Sequence, residues 1–173
     1  MSVLRALLVW LILALPVSAQ QGSAPVLIVD SERLFIETLY GQRLASELAA
    51  QAAELQAEND RIVESLTLEE RSLTVRRPTM DPEAFRDEAE AFDNKVQDVR
   101  RVRDAKNVEL QVATAEARSR FEQQVQGIVA NIMLERNASL VLEQRNVVLS
   151  VRAVNITDDA IVRIDAELGT GAE

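Results

Sequence analysis

Asp158 and Asp159 are the side chains that come nearest to a catalytic or metal-holding pair. Neighbours on a helix point about 100° apart, and no third carboxylate is recruited by the pattern around them. They fit better as first-turn acids facing the positive end of a helix that Thr157 would cap. The chain has no histidine and no cysteine. That removes the commonest general base, the commonest transition-metal ligand, thiol nucleophiles and disulfides. Carboxylate-only catalysis survives as a distant third reading. No catalytic residue, metal or cofactor is expected.

The other chemistry the residues could do is recognition. Arg71, Arg76 and Arg77 crowd a segment without acids, residues 71–77, just before Pro78 and Pro82. The preceding residues 47–70 carry seven acids against Arg61 alone. A local cationic spot in a chain of formal net charge −9 offers contact to anionic groups, such as lipid headgroups or acidic polypeptides. The plainer alternative is a solvated turn, or pairing with Asp81 and Glu83. Apolar residues near the same break, Leu68, Leu73, Met80, Phe85, Phe92 and Val96, are candidates for holding another chain, because exposed apolar patches mark binding surfaces. For Leu73 and Phe85 the competing reading is that they seal the local helices. An acidic balance of this size argues against nucleic acid as a partner.

The elements that must position these residues are long helices. From Gln42, Leu44, Leu48, Leu55, Ile62, Leu66 and Leu73 recur at intervals of four and seven, the spacing of a coiled-coil seam. Gln51 and Glu58 occupy alternate seam positions, so the stripe is thin. Pro78 should push Arg77 out of the helical region and end this helix near Val75. Asp81 before Pro82 is a good start for a second helix, which meets no strong breaker before Asn137. At 1.5 Å per residue the two would reach about 50 and about 80 Å and run antiparallel. Folding about Pro78 puts Arg100 near position 56 and Arg103 near 53, close to Glu54 and Glu58. It puts Arg86 near Glu69 and Glu70. Such complementary charge would fix the register.

The ends read differently. "PVLIV" at 25–29 is a short β-branched run, followed by Asp30 or Ser31 as a cap, a short helix and a break or bend at Gly41. "SLVLE" and "VVLSV", at 139–143 and 147–151, read as two strands joined by a tight turn. A closing helix follows from Thr157. Three short strands make a marginal sheet with exposed edges, so self-association is expected. At the extreme N-terminus, Arg5, an apolar run from Ala6 to Leu15, and Val17-Ser18-Ala19 have the layout of a secretory signal cleaved after Ala19. An uncleaved anchor is the alternative. Cleavage would remove Trp10, the sole tryptophan, and leave 18 basic against 28 acidic residues. The expected segments are therefore 1–19 signal, 20–40 first strand and short helix, 41–137 hairpin with its tip near 74–82, 138–168 strands and closing helix, and 169–173 tail.

The export signal, "VLIVDSERLF", the long hairpin with a basic tip, and "SLVLEQRNVVLSVRAVNITDDAIVRID" together resemble the OmpH/Skp family of periplasmic chaperones over about residues 25–168. The link into the closing helix is "NIT", with Asn155 where the family carries an acid. The resemblance implies an α+β, mostly α fold: a long antiparallel helical hairpin, or tentacle, on a small β body of terminal strands. Three copies would form a homotrimer whose tentacles surround a cavity. It implies ATP-independent holding of unfolded outer-membrane β-barrel proteins in the periplasm, with no enzymatic activity and no cofactor. Family members best known for this are basic, whereas this chain is acidic. A lipopolysaccharide site proposed for some members has no residue-by-residue match here. The competing class is a structural coiled-coil adaptor or spacer in the cell envelope, which should show a full leucine seam.

Overall fold

The computed structural model describes residues 25–171; the signal segment and its cleavage site lie outside them. The order is strand β1 (Val26–Val29), helix α1 (Ser31–Glu37), helix α2 (Leu39–Arg76), helix α3 (Pro82–Glu135), strand β2 (Leu140–Glu143) and helix α4 (Thr157–Leu168). Single 3-10 turns lie at Arg77–Thr79, Gln144–Asn146 and Arg152–Val154. No helix among the described residues is long and apolar enough to cross a membrane.

β1 and β2 pair in parallel, from Val26 opposite Leu140 to Val29 opposite Glu143. A parallel pair needs a long crossover, and the whole α2–α3 hairpin serves as that connection. The expected third strand does not form. Residues 147–151 are not strand, and Asn155 makes an isolated bridge to Ile28 on the far side of β1. β-branched composition makes a segment competent to pair, but within one chain the open edge of β2 is not filled by it. Val148 and Leu149 are left 95% and 90% exposed.

The core sits where β1, α1, α4 and the root of the hairpin meet. Leu27, Leu34, Ile132, Ile156 and Ile164 are buried there. Phe121 packs edge-on to Phe35 at 5.2 Å and stacks on Tyr40 at 5.7 Å between ring centroids. Asp30 caps α1 by accepting from the Arg33 amide at 3.0 Å, while the Ser31 hydroxyl donates to Glu143 on β2 at 2.6 Å.

The α1–α2 break falls at Thr38, not at Gly41. The Thr38 hydroxyl closes α1 by donating to the Leu34 carbonyl and opens α2 by accepting from the Gly41 amide. Gly41 lies inside the first turn of α2, and its part is close approach: a Cβ there would stand 1.9 Å from the Phe35 carbonyl oxygen. A second shift concerns α4. Thr157 is its first residue rather than its cap, and its buried hydroxyl accepts from the Asp30 amide at 3.0 Å. Ile156 holds the cap position without a side-chain hydrogen bond, and the Asn155 side-chain oxygen, one residue earlier, accepts from the Thr157 amide at 2.9 Å. An amide oxygen thus does what an acid would do at that position.

Candidate functional site

α2 and α3 are 38 and 54 residues long, or about 57 and about 81 Å at the α-helical rise. Asp81 starts α3 as its spacing demands, accepting from the amides of Glu83 and Ala84 with Pro82 in the first turn. Arg77, however, keeps right-handed helical angles (φ −46, ψ −45). The steric push of Pro78 is overridden by a 3-10 turn that carries the chain on to Thr79, and the reversal ends at Met80 and Asp81.

Three ion pairs lock the two helices: Arg76–Glu88 at 2.7 Å, Lys95–Glu69 at 2.5 Å and Lys106–Glu58 at 2.5 Å. Every pair is centred on position 82, not on Pro78. The expected partners are therefore wrong in detail: Lys106, not Arg100 or Arg103, meets Glu58, and Arg86 is not on Glu69 or Glu70. Two physical reasons combine. The turn consumes residues beyond Pro78. Side chains also tilt toward the N-terminus of their own helix, so on antiparallel helices a meeting pair is displaced toward the tip on α2 and away from it on α3.

Among residues 45–116 of the hairpin, the buried side chains are Asn59 and Leu73. Leu73 lies in the seam. Phe85, Phe92, Val96 and Met80 are half-buried, and Leu68 is 59% exposed. The expected seam residues Leu48, Leu55, Ile62 and Leu66 are half-buried as well. Two helices without a third layer cannot cover more. The spacing also hides a second set: Val63, Val75, Val102, Val108 and Val112 are exposed, Val75 by 71%. Val96, Val99 and Val102 show the missed signal. Steps of three residues turn about 300°, so each falls about 60° behind the last, and by Val102 the stripe has left the seam.

The tip arginines have separate fates. Arg76 holds Glu88 below the usual carboxylate range through their hydrogen-bonded ion pair. Arg77 lies over the Phe85 ring at 5.3 Å. Arg71 is exposed. The pairing with Asp81 and Glu83 weighed from sequence is not among the ion pairs. At the root, Arg118 binds Glu32 at 2.7 Å and covers Phe35 at 4.7 Å, holding Glu32 below the usual range. Asp158 and Asp159 are engaged by Arg33, Arg136 and Arg163. No group of three or more acids fit to hold a metal occurs among the described residues.

A family described as outer membrane protein (OmpH-like) matches residues 25–164. No curated protein matches the chain. A crystal structure described as that of an OmpH-like outer membrane chaperone from Caulobacter crescentus CB15 superposes with a TM-score of 0.78 at 22% identity, covering 88% of this chain and 93% of that one. At that identity the likeness speaks for the fold: mostly helical, with long helices and a small two-stranded sheet.

Proposed function

The chain belongs to the OmpH-like family of outer membrane proteins, and from that premise we propose that it is an ATP-independent periplasmic holdase for unfolded outer-membrane β-barrel proteins. The observation that carries the reading is the set of exposed apolar side chains, Val63, Leu68, Val75, Val102, Val108 and Val112, on an otherwise charged two-helix hairpin. Such a surface binds apolar segments without selecting one sequence, and its individually small contacts let them go again. Unfolded β-barrel strands alternate apolar and polar residues, which suits exposed apolar side chains set among charged ones.

Homotrimerisation is part of the proposal. The open β2 edge, with Leu140 and Leu142 exposed, and the bare Val148–Leu149 segment are what further copies would cover. The tip arginines would add weak contact with anionic clients or membrane surfaces at short range, since charges beyond about 8 Å are screened at physiological salt.

The test is light scattering from a urea-denatured outer-membrane protein diluted into buffer without nucleotide. A molar excess of the assembled protein should keep it in solution. Aggregation at the rate seen without the protein would overturn the proposal.

A further inference from the structure

Past α4 the chain turns back on the body. Gly169 (φ 52) and Gly171 (φ 65) both lie in the left-handed region that favours glycine. Their amides donate to the carbonyls of Asp165 and Leu168 at 3.1 and 2.7 Å. The turn lays residues 169–171 against the root of α2, where Arg43 holds them by main chain. Its Nε donates to the Thr170 carbonyl at 2.6 Å and its Nη2 to the Gly171 carbonyl at 3.3 Å. The same guanidinium lies 5.4 Å from the centroid of the Tyr40 ring and donates from Nη1 to Glu47 at 2.6 Å. Gly171 comes so close to Tyr40 that a Cβ on it would stand 2.4 Å from the ring. Tyr40, which also stacks on Phe121, is left 8% exposed.

This contact is a closure over the core rather than a part of it. Thr170 and Gly171 are themselves exposed, they bury no large apolar side chain, and one arginine holds both carbonyls. A segment with so little buried contact opens at far lower cost than the packed body. What it closes over is the start of α2, which is also tied down by the Leu39 amide on Asp165 at 2.7 Å and by Tyr40 and Leu44 in the core. We propose that residues 169–171 are a latch. Closed, it joins the end of α4 to the first two turns of α2. Open, it uncovers Tyr40 and lets the root of α2 loosen from α4 while β1, α1 and α3 stay packed. The inference concerns how the hairpin is mounted on the body, and it holds whatever the hairpin carries.

Tyr40 is the only tyrosine in the chain, so its acetylation by N-acetylimidazole, read by mass on the peptide that contains it, reports the latch directly. In the assembled wild-type protein it should be slow. Gly171→Val puts a side chain where the ring stands, and Arg43→Met removes both carbonyl bonds. Each should raise the acetylation rate about tenfold, as loss of a hydrogen bond to a charged donor implies. Hydrogen exchange of residues 39–44 should quicken by a similar factor in both variants, with residues 121–132 unchanged. Equal tyrosine reactivity in wild type and variants would overturn the inference, because the segment would then not cover the ring. Faster acetylation with unchanged exchange at 39–44 would overturn it too, because a cover that holds nothing is not a latch. So would exchange that quickens equally across 121–132, since the segment would then belong to the core.

Discussion

At the root of the hairpin, Phe121 touches Phe35 and Tyr40, and Ile132 is fully buried beneath α4. Farther along the same two helices, Leu66 and Phe92 are half-buried, and lysine–glutamate pairs join helix to helix. The root is held by packing against β1, α1 and α4, the reach by a thin seam and surface charge. Exposed ion pairs specify register more than they stabilise, and burial supplies most of the folding energy. The difference explains how one chain can be rigid where it would assemble and yielding where it would hold a client.

The sharpest way to break this contrast is a matched pair of truncations. Phe121→Ala should cost about 3–5 kcal/mol, as for a large aromatic removed from a core. Phe92→Ala, on a half-open surface, should cost roughly 1 kcal/mol. Urea unfolding checks both, and equal costs would dissolve the distinction between root and reach.

Two glycines give the next largest effect, with opposite signs. Gly41→Ala drives a methyl into the Phe35 backbone and should destabilise by about 1–3 kcal/mol. Gly127 lies inside α3 with nothing within 4 Å of the added carbon, so Gly127→Ala should stabilise by about 0.5–1 kcal/mol. Thermal melts by circular dichroism measure each.

Acid sharpens the comparison further. Glu32, Glu37 and Glu135 around the body, and Glu88 near the tip, are held below the ordinary carboxylate value of 4.5, in each case first by an arginine hydrogen bond. Groups depressed in the folded state contribute stability that is fully present above 4.5 and is lost as pH falls through their lower folded values. With no histidine in the chain, the melting temperature should be level between about pH 6 and 8. It should then fall below 4.5, with three of these four groups weakening the body. A midpoint that slopes steeply between pH 6 and 8 would contradict this.

The smallest expected effect is at the tip. Changing Arg71, Arg76 and Arg77 together to Ala should leave assembly unchanged, because they lie far from the strands. It should slow capture of an acidic client at low salt, with the deficit shrinking as salt rises. Stopped-flow capture identical to wild type at low salt would make the tip an ordinary solvated turn.

Much of the architecture is legible in the sequence. Asp81-Pro82 starts a helix whatever follows, and the four-and-seven leucine spacing of α2 requires a partner helix. What escapes is whatever depends on a neighbour. "VVLSV" is strand-competent, but its pairing edge is not supplied within one chain. Gly41 marks a bend by composition, whereas the break is fixed at Thr38 by a hydroxyl that serves two helices. The register slipped because a proline marks a turn without giving its length, and because side-chain tilt shifts every facing pair. At the candidate site, tip position drew attention to Leu73, which the seam covers. The drifting valine stripe ending at Val102 was visible as spacing, but not as exposure.

Hydrogen exchange, resolved by residue and recorded with and without a bound unfolded outer-membrane protein, tests the division between root and reach most directly. In the free protein, residues 70–90 should exchange fastest and residues 121–132 slowest. On binding, new protection should appear along residues 59–112 and leave 121–132 unchanged. Uniform protection along the free hairpin, or client-induced protection confined to the body, would contradict it.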